Sequence, residues 1–412
     1  MMNRTELQLA LRPLRFLDAH ADLPEGLLEV RPGRLMVWNH EAIEEIFRAD
    51  QGLRHPGSRS FKPLLGSRSL LWQDGPRHAA YRRVLGPPLR GRRLAEWREV
   101  IAEATDAAIT GLTPGCEFAI ADWTRALTLR IMSRILFGGA GDDLVAPFAE
   151  WMDRALGSRR RMLVYRYLRG GLPQPDPGLE ELLVARARES AREDGTTLAG
   201  RLLATDSPIA DLDDGELRDQ LVSLLFAGHE TTASTAAWAV FWIDRHASVR
   251  DAVLAELAAT ADDGFSADNL PILQAVISET LRLTPPVPAA GNRVLVEPWV
   301  FRERRFDPGT VLMPSIYLAH RRADHFPDPT RFDPHRFLVR RMTSQRYFPF
   351  GGGTRHCLGS QLGQLEVRMI VAALLRRREL RSMNPRAGEP QLRGHAMAPS
   401  AKLAMKVLSC RD

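Results

Sequence analysis

A cysteine among glycines is the feature of this 412-residue sequence best suited to chemistry. Residues 350–359 read FGGGTRHCLG and contain Cys357, one of three cysteines in the chain. Successive glycines give the backbone the freedom to approach a flat ligand or a sulfur atom closely. Apolar residues recur at helical spacing after Gly359, so a helix is expected to begin beside the cysteine. The free N–H groups at the start of a helix favour a thiolate over a thiol.

The loop alone leaves three uses of Cys357 open. A thiolate beside Arg355 suits an axial metal ligand or a catalytic nucleophile. A lone cysteine also often serves only as a small buried apolar side chain. Residues elsewhere in the sequence are needed to choose among these roles.

A second candidate group combines a histidine and an arginine in residues 74–83, which read DGPRHAAYRR. His78 and Arg82 are four residues apart and therefore share one face of a helix. Such a face can bind a carboxylate, because the arginine side chain offers a planar fork of donors.

A third group lies within residues 214–244, a long apolar stretch that is predicted to form one helix. Its centre, residues 227–232, reads AGHETT, where glycine costs about 1 kcal/mol and threonine is β-branched. Threonine hydroxyls can bond back to carbonyls, so the helix is expected to widen or kink and leave a groove for oxygen and water. The alternative is a packing notch in which the glycine and threonines only admit a neighbouring helix.

These motifs, in the order in which they occur along the chain, resemble those of the cytochrome P450 superfamily. The pattern F-x-x-G-x-R-x-C-x-G in residues 350–359 resembles its haem-binding loop, and A-G-x-E-T-T resembles its oxygen-activation site. Glu279 and Arg282 form the sequence E-x-x-R just before Pro285 and resemble its buried structural pair, with Arg336 as a third member. The resemblance covers nearly the whole chain and is strongest after residue 214.

The resemblance implies that Cys357 is the axial ligand of a haem b iron, whose chemistry depends on that thiolate. Nucleophilic catalysis loses its case, because no base is placed for it. Glu230 and Thr231 become the acid–alcohol pair that delivers protons on the opposite face of the haem. The residues expected to bind the haem or its propionates are His78, Arg82, Arg293, Phe350, Arg355, Cys357 and Gly359.

The elements that must position these residues are mostly helices. The expected fold class is mostly α with a small β-sheet region, the cytochrome P450 fold, with the haem between the helix over 214–244 and the helix after the cysteine loop. No linker, repeat or low-complexity tract divides the chain, so residues 1–412 are expected to form a single domain. A hairpin is predicted at 27–38, and helices are predicted from Asn39 to Phe47, at 95–110 and at 121–137.

Composition narrows the class of protein. Three cysteines do not make a disulfide framework and suit a reducing cytoplasm. The leucine-rich stretch 7–17 is too short and too charged for an integral membrane anchor. The net charge is +6, yet no zinc-finger spacing or aromatic RNA-binding motif accompanies it, so nucleic acid is not an expected partner.

Basic residues cluster in two stretches that the resemblance places on the thiolate side, where an acidic ferredoxin would dock. The alternative is a merely solvated surface. The arginines in question are Arg82, Arg83, Arg90, Arg92, Arg93, Arg98, Arg340, Arg341, Arg346 and Arg355.

The implied function is that of a monomeric haem-thiolate monooxygenase. It would insert one oxygen atom of O2 into a small apolar organic substrate by hydroxylation or epoxidation, in secondary-metabolite biosynthesis. Electrons would come from NAD(P)H through a ferredoxin reductase and ferredoxin. The loops at 55–72, 160–177, 287–290 and around 395–398 are expected to set specificity. A peroxide-driven, coupling or desaturating oxidase and a non-enzymatic haem-thiolate sensor are the alternatives.

Overall fold

The computed structural model describes residues 4–58, 60–193, 195–260, 269–339, 342–393 and 396–411. Helices dominate these residues, as the sequence predicts. In chain order they are α1 (Arg4–Leu11), α2 (Pro13–Asp18), α3 (His40–Arg48), α4 (Lys62–Leu65), α5 (Gly75–Leu85), α6 (Arg98–Thr110), α7 (Ile120–Phe137), α8 (Val145–Leu156), α9 (Arg159–Leu168), α10 (Pro177–Glu193), α11 (Leu198–Leu203), α12 (Asp214–Arg245), α13 (Ala247–Ala259), α14 (Pro271–Leu283), α15 (Ile316–Ala319), α16 (His335–Val339) and α17 (Ser360–Arg377).

Short strands make the minor part of the fold. They are β1 (Leu27–Arg31), β2 (Arg34–Val37), β3 (Glu117–Ala119), β4 (Arg293–Val294), β5 (Trp299–Phe301), β6 (Arg304–Phe306), β7 (Val311–Pro314), β8 (Arg378–Ser382), β9 (Leu392–Arg393), β10 (Ala396–Met397) and β11 (Ala404–Cys410). The largest sheet has the order β1-β2-β7-β4, in which β2 and β7 are parallel and the other pairs antiparallel. A second sheet has the order β3-β11-β8, and β5-β6 and β9-β10 form separate ribbons.

The predicted hairpin and the helix after it are both confirmed near the N-terminus. Gly33 supplies the turn between β1 and β2 with a φ of 71°, a conformation that suits glycine. The Asn39 side chain accepts a hydrogen bond from the Ala42 N–H and so caps α3. Together β2 and α3 bring residue 50 to the edge of the largest sheet.

The long helix α12 is the central element of the core. Asp213 caps its start by accepting from the Glu216 N–H, and most of its residues are buried. It packs against α7, α14 and α17. The helix that follows the cysteine loop therefore lies against the helix that carries Glu230 and Thr231, which is the layering that the sequence predicts.

Some predicted boundaries need adjustment. The helix expected at 95–110 begins at Arg98, because residues 91–97 form a 3₁₀ turn. The predicted loop at 55–72 contains the short helix α4. Arg340 and Arg341, and part of the predicted loop at 395–398, lie outside the described residues. No described helix has the length and apolar character needed to cross a membrane.

Candidate functional site

The cysteine loop is a tight backbone structure that ends where α17 begins. The Cys357 N–H donates to the Phe350 carbonyl at 2.9 Å and closes the loop. Gly359 is the residue immediately before α17, so Cys357 lies at the start of that helix, as the sequence predicts. Phe350 packs against the main apolar cluster and anchors the first residue of the loop.

Two glycines of the loop leave space for residues that pack against the loop, in addition to giving the backbone conformational freedom. A Cβ on Gly352 would lie 2.2 Å from the Phe47 ring, at the end of α3. A Cβ on Gly353 would lie 2.6 Å from Asp50, and Gly353 has a φ of 67°. These two glycines are therefore required because the N-terminal part of the chain packs directly on the loop.

The Cys357 residue has exposed surface, although enough protein surrounds its thiol to desolvate it. These observations agree if the side chain faces an internal space rather than the outer surface. Burial raises the pKa of the thiol, while a hydrogen bond from the Gly359 N–H and the charge of Arg82 act in the opposite direction. The N–H at the helix start thus favours the thiolate, as expected, but in the protein alone desolvation outweighs it. A coordinated metal cation reverses that balance.

His78 and Arg82 lie on one face of α5 and offer hydrogen-bond donors to an anion. Neither side chain makes a hydrogen bond or an ion pair within the described part of the chain, although His78 is buried. Burial and the charges of Arg355 and Arg82 lower the pKa of His78 to about 4. His78 is therefore a neutral donor near pH 7, and Arg82 is a charged donor without an ion-pair partner in the described structure; an acceptor that joined both would stabilise them.

Arg355 approaches the same face from the cysteine loop. Its Nη atoms donate to the Leu70 and Gln73 carbonyls and to the Asp74 carboxylate. Its buried Nε–H has no partner in the described structure. A buried donor without an acceptor is costly, so this N–H points to a missing acceptor.

Arg293, another predicted propionate residue, already uses most of its donors within the protein. It lies on β4 and is 1% exposed. Its Nε donates to Asp50 at 2.9 Å, Nη1 to the Gly291 carbonyl at 2.6 Å and Nη2 to the Gly352 carbonyl at 3.2 Å. Two of its five N–H groups are left for another acceptor.

The cationic candidates and the cysteine converge on one place. The charge of Arg355 lowers the pKa values of His78 and Arg82, Arg293 lowers that of Arg355, and Arg82 is close enough to Cys357 to lower its pKa. A thiol ligand beside cations without full partners fits a metal cofactor with anionic substituents at its edge. The residues present therefore fit a haem.

Glu230 and Thr231 occupy the middle of α12 and contact its neighbours. The Glu230 carboxylate accepts from Arg125 Nε on α7 at 2.7 Å, and Arg125 also donates to Asp153 on α8 at 2.9 Å. The Thr231 hydroxyl donates to the Ala227 carbonyl at 2.8 Å. Packing of α12 on α17, rather than a direct bond, relates these residues to the cysteine loop.

Two further residues of the same segment take structural positions. A Cβ on Gly228 would lie 2.5 Å from the Met132 sulfur of α7, which supports the packing alternative for this glycine. His229 donates through Nδ1–H to the Leu225 carbonyl at 2.8 Å, and its Nε2 lies 3.7 Å from Glu230. Burial lowers the pKa of His229, although the Glu230 charge opposes this.

The predicted buried triad is confirmed by geometry. Glu279 and Arg282 on α14 are both fully buried and share two hydrogen bonds, of 2.7 and 2.8 Å. Arg336 Nε donates to the same carboxylate at 3.2 Å. Arg282 also donates to backbone carbonyls of His320, Pro329 and Arg331, so the triad fastens the segment that precedes the cysteine loop.

Sequence reasoning missed three charged residues that bind the predicted site residues. Asp50 and Asp74 bind Arg293 and Arg355, and Arg125 binds Glu230. Asp74 could have been suspected from its place just before the His78 helix. Asp50 and Arg125 carry no local signal, because their partners are distant in the chain.

Comparison with known proteins identifies the family. Residues 180–407 match the family described as Cytochrome P450. A protein provisionally named cytochrome P450 135B1, from Mycobacterium bovis, is 32% identical over 389 residues, which span 90% of this chain and 81% of the relative. The cyclooctat-9-en-7-ol 5-monooxygenase of Streptomyces melanosporofaciens is 31% identical over 396 residues, 90% of this chain and 85% of that one. The crystal structure of CYP175A1 from Thermus thermophilus superposes with a TM-score of 0.73 at 27% identity and covers 98% of this chain and 97% of that one.

This chain therefore belongs to the cytochrome P450 family. It is an oxidoreductase of the P450 monooxygenase class, with a haem iron cofactor.

Proposed function

We propose that this protein inserts one oxygen atom of O2 into a small apolar organic substrate, with haem b bound through Cys357. The observation that carries the proposal is the set of cationic donors without full partners around the cysteine loop, above all the buried Arg355 Nε–H. A non-enzymatic thiol would need none of these donors. Hydroxylation of a C–H bond is the simplest outcome, and epoxidation would use the same residues.

The chain's own residues would hold the cofactor from two directions. Cys357 would supply the sulfur ligand, and the Gly359 N–H would donate to that sulfur. His78, Arg82 and Arg355 would bind propionate oxygens, while Arg293 would add its remaining N–H groups. The bound haem supplies the activation of dioxygen, favoured by a thiolate ligand. Phe350 and Gly359 would shape the loop around the sulfur.

Glu230 and Thr231 would hold and move protons on α12. A cavity of about 10 Å³, room for about one water molecule, lies beside Glu230 and Arg125. The outer end of this ion-pair chain is Asp153, whose side chain is 54% exposed. Protons would reach the Glu230 carboxylate from the solvent side through water in this cavity. The Thr231 hydroxyl would accept a proton on a lone pair and give up its own O–H proton, which in the resting structure bonds the Ala227 carbonyl.

An apolar substrate is favoured by the residues predicted to line the pocket. Val287, Ala289 and Ala290 offer small apolar surfaces before β4. The relative named as a cyclooctat-9-en-7-ol 5-monooxygenase supports a secondary metabolite as the substrate of this chain too. A peroxide-driven reaction is less favoured, since it would not need the acid–alcohol pair.

A ferredoxin is the proposed electron donor, reduced by an NAD(P)H-dependent reductase. An open groove of about 440 Å³ is lined by Arg90, Arg92 and Arg93 together with Gln361 of α17. The Gly91 N–H donates to Gln361 at 2.8 Å, so this basic groove lies beside the first turn after the cysteine loop. Its charge complements an acidic partner.

We further propose that the protein is a single-domain monomer in the cytoplasm, where the three free cysteines would stay reduced.

The ligand assignment is tested by the spectrum of the reduced protein with carbon monoxide. The wild type should show the red-shifted Soret band of thiolate-ligated haem, and Cys357→Ser should lose it. Cys116→Ser is the control, since that thiol lies in the turn before β3. Retention of the band in Cys357→Ser would overturn the proposal.

The proton role is tested by coupling between oxygen consumption and product. Thr231→Ala should release peroxide in place of product. Thr235→Ala is a matched control, because its hydroxyl makes the same kind of bond, to the Thr231 carbonyl at 2.9 Å, one turn further along α12. Equal coupling in both variants and the wild type would remove Thr231 from the relay.

The donor site is tested by charge reversal. Arg92→Glu with Arg93→Glu should slow reduction by ferredoxin, most strongly at low salt, while Arg304→Glu with Arg305→Glu on β6 should not. Equal reduction rates in both double variants would place the partner elsewhere.

A further inference from the structure

A buried carboxylate joins the N-terminal part of the chain to both sides of the cysteine loop. Asp50 follows α3 and is 1% exposed. One oxygen accepts from Arg293 Nε at 2.9 Å and from His55 Nε2 at 3.1 Å. The other accepts from the Thr354 hydroxyl at 2.6 Å and from the Arg355 N–H at 3.3 Å. Four donors on one buried carboxylate make it a fixed point in the structure.

The loop is shaped to receive this carboxylate. Asp50 Cβ and Oδ2 both lie 2.6 Å from the place where a side chain at Gly353 would begin. Its two loop contacts fall on Thr354 and Arg355, the third and second residues before Cys357. Movement of Asp50 would therefore displace the sulfur-bearing loop and the Arg355 backbone together.

His55 extends the connection to the helix that carries His78 and Arg82. Its Nδ1 lies 2.7 Å from Asp74 Oδ1, and its backbone N–H donates to Asp74 Oδ2 at 2.9 Å. Asp74 is the residue immediately before α5 and also accepts from Arg355. His55 therefore bridges the Asp50 and Asp74 carboxylates through its two ring nitrogens.

The Asp50 carboxylate is ionised in this setting. Burial would raise its pKa, but the hydrogen bond from His55 and the charge of Arg293 outweigh burial and hold that pKa below the ordinary value. Asp50 thus carries a fixed negative charge beside the Arg293 side chain.

We propose that Asp50 is a positioning residue for the haem: it fixes the orientation of Arg293 and the cysteine loop, and it lowers the net positive charge that the propionates meet. This role rests on the proposed haem site, because Arg293 and Cys357 act there. Asp50 itself does not contact the cofactor in this proposal. It acts through Arg293, Thr354 and, by way of His55 and Asp74, the start of α5.

The substitution Asp50→Asn removes the charge and keeps an amide oxygen for Thr354 and Arg355. Haem transfer from the variant to apomyoglobin should be about 10-fold to 100-fold faster than from the wild type. The reduction potential of the iron should become more positive, because a negative charge beside it is lost. Thr354→Val, which removes one donor and leaves the charge, should speed haem transfer less and leave the potential unchanged.

The control is Asp244→Asn. Asp244 accepts from the Ser382 hydroxyl at 2.5 Å and from the Ser382 N–H at 3.0 Å, the same pair of donor types that Asp50 has on the loop. Asp244 lies at the C-terminal end of α12 and has no bond to the cysteine loop in the described structure. Asp244→Asn should therefore alter thermal stability without altering haem transfer or the reduction potential.

The outcomes separate two failures. If the wild type binds haem with the Cys357-dependent band, and Asp50→Asn matches it in haem transfer and potential, the positioning role is overturned and the proposed function stands. If the wild type lacks that band, the proposed function itself fails.

Discussion

The two sides of the proposed haem site differ in how their residues are held. On the cysteine side, Asp50, Arg293 and the Glu279 triad form hydrogen-bonded networks that are almost wholly buried. On the α12 side, Glu230 is held by Arg125, whose second partner Asp153 is half exposed. Buried, fully bonded networks fix one geometry, whereas a pair that reaches solvent can exchange partners.

The difference matches what each side has to do. A metal ligand and its loop must keep one position, because small displacements weaken ligation. A proton relay must break and re-form bonds with each proton that it passes. The comparison predicts that substitutions on the cysteine side cost mainly stability and haem affinity, and that substitutions on the α12 side cost mainly coupling.

The largest effect is expected at Glu279. Glu279→Ala would leave Arg282 and Arg336 without their carboxylate in a fully buried place, and the free energy of unfolding should fall by about 3–5 kcal/mol. Urea unfolding of the holoprotein measures this. Glu25→Ala breaks an exposed pair with Arg304 and should cost about 0–1 kcal/mol. Similar losses in both variants would contradict the role of the triad.

Gly353→Ala should have the next largest effect. Its positive φ costs an alanine about 1–2 kcal/mol, and the clash with Asp50 adds about 1–3 kcal/mol. Gly115→Ala is the matched control, with a φ of 86° and no atom near the new methyl group. The two variants should therefore differ by the clash alone in thermal or urea unfolding. Equal losses would show that Asp50 does not hold the loop.

Acid should weaken the cysteine side through His40, whose ring packs 5.8 Å from that of Phe348. Burial lowers the pKa of His40 to about 3, so below about pH 6.5 the unfolded chain takes up a proton that the folded chain refuses. The contribution of neutral His40 to the free energy of unfolding is therefore fully present above pH 6.5 and is lost as the pH falls toward 3. His40→Phe should flatten the slope between pH 6 and 5 by about 1 kcal/mol per pH unit. An unchanged slope, measured by urea unfolding, would contradict this.

The smallest loss of stability is expected on the α12 side. Arg125→Gln should lower the free energy of unfolding by about 1–2 kcal/mol, because the pair with Asp153 reaches solvent and the glutamine amide can still donate to the largely buried Glu230. Its main effect should be a lower ratio of product to oxygen consumed, since Glu230 loses its charged hydrogen bond from Arg125. Arg134→Gln on the same helix breaks only pairs with Glu103 and Asp142 and should leave that ratio unchanged. Full coupling in Arg125→Gln would place the proton path elsewhere.

The reactive positions could be proposed from the sequence because their signals are local. The glycines around Cys357, the four-residue spacing of His78 and Arg82, and the hydroxyl and carboxyl in the middle of one helix can each be read within a few residues. Helical spacing likewise located α12 and α17. Boundaries were less certain, as at Arg98, where a 3₁₀ turn delays the start of α6.

By itself, then, the sequence determined which residues can ligate, bind anions and carry protons, because side-chain type and spacing decide those abilities. Only the tertiary structure decided how they are held: Asp50 lies 304 residues from Thr354, and Arg125 lies 105 residues from Glu230. It also showed that Phe47 and Asp50 pack where side chains at positions 352 and 353 would stand. Desolvation of Cys357, which opposes the thiolate, likewise became visible only in the folded protein. Burial and contact between distant segments have no local pattern, so no spacing in the chain could have predicted them.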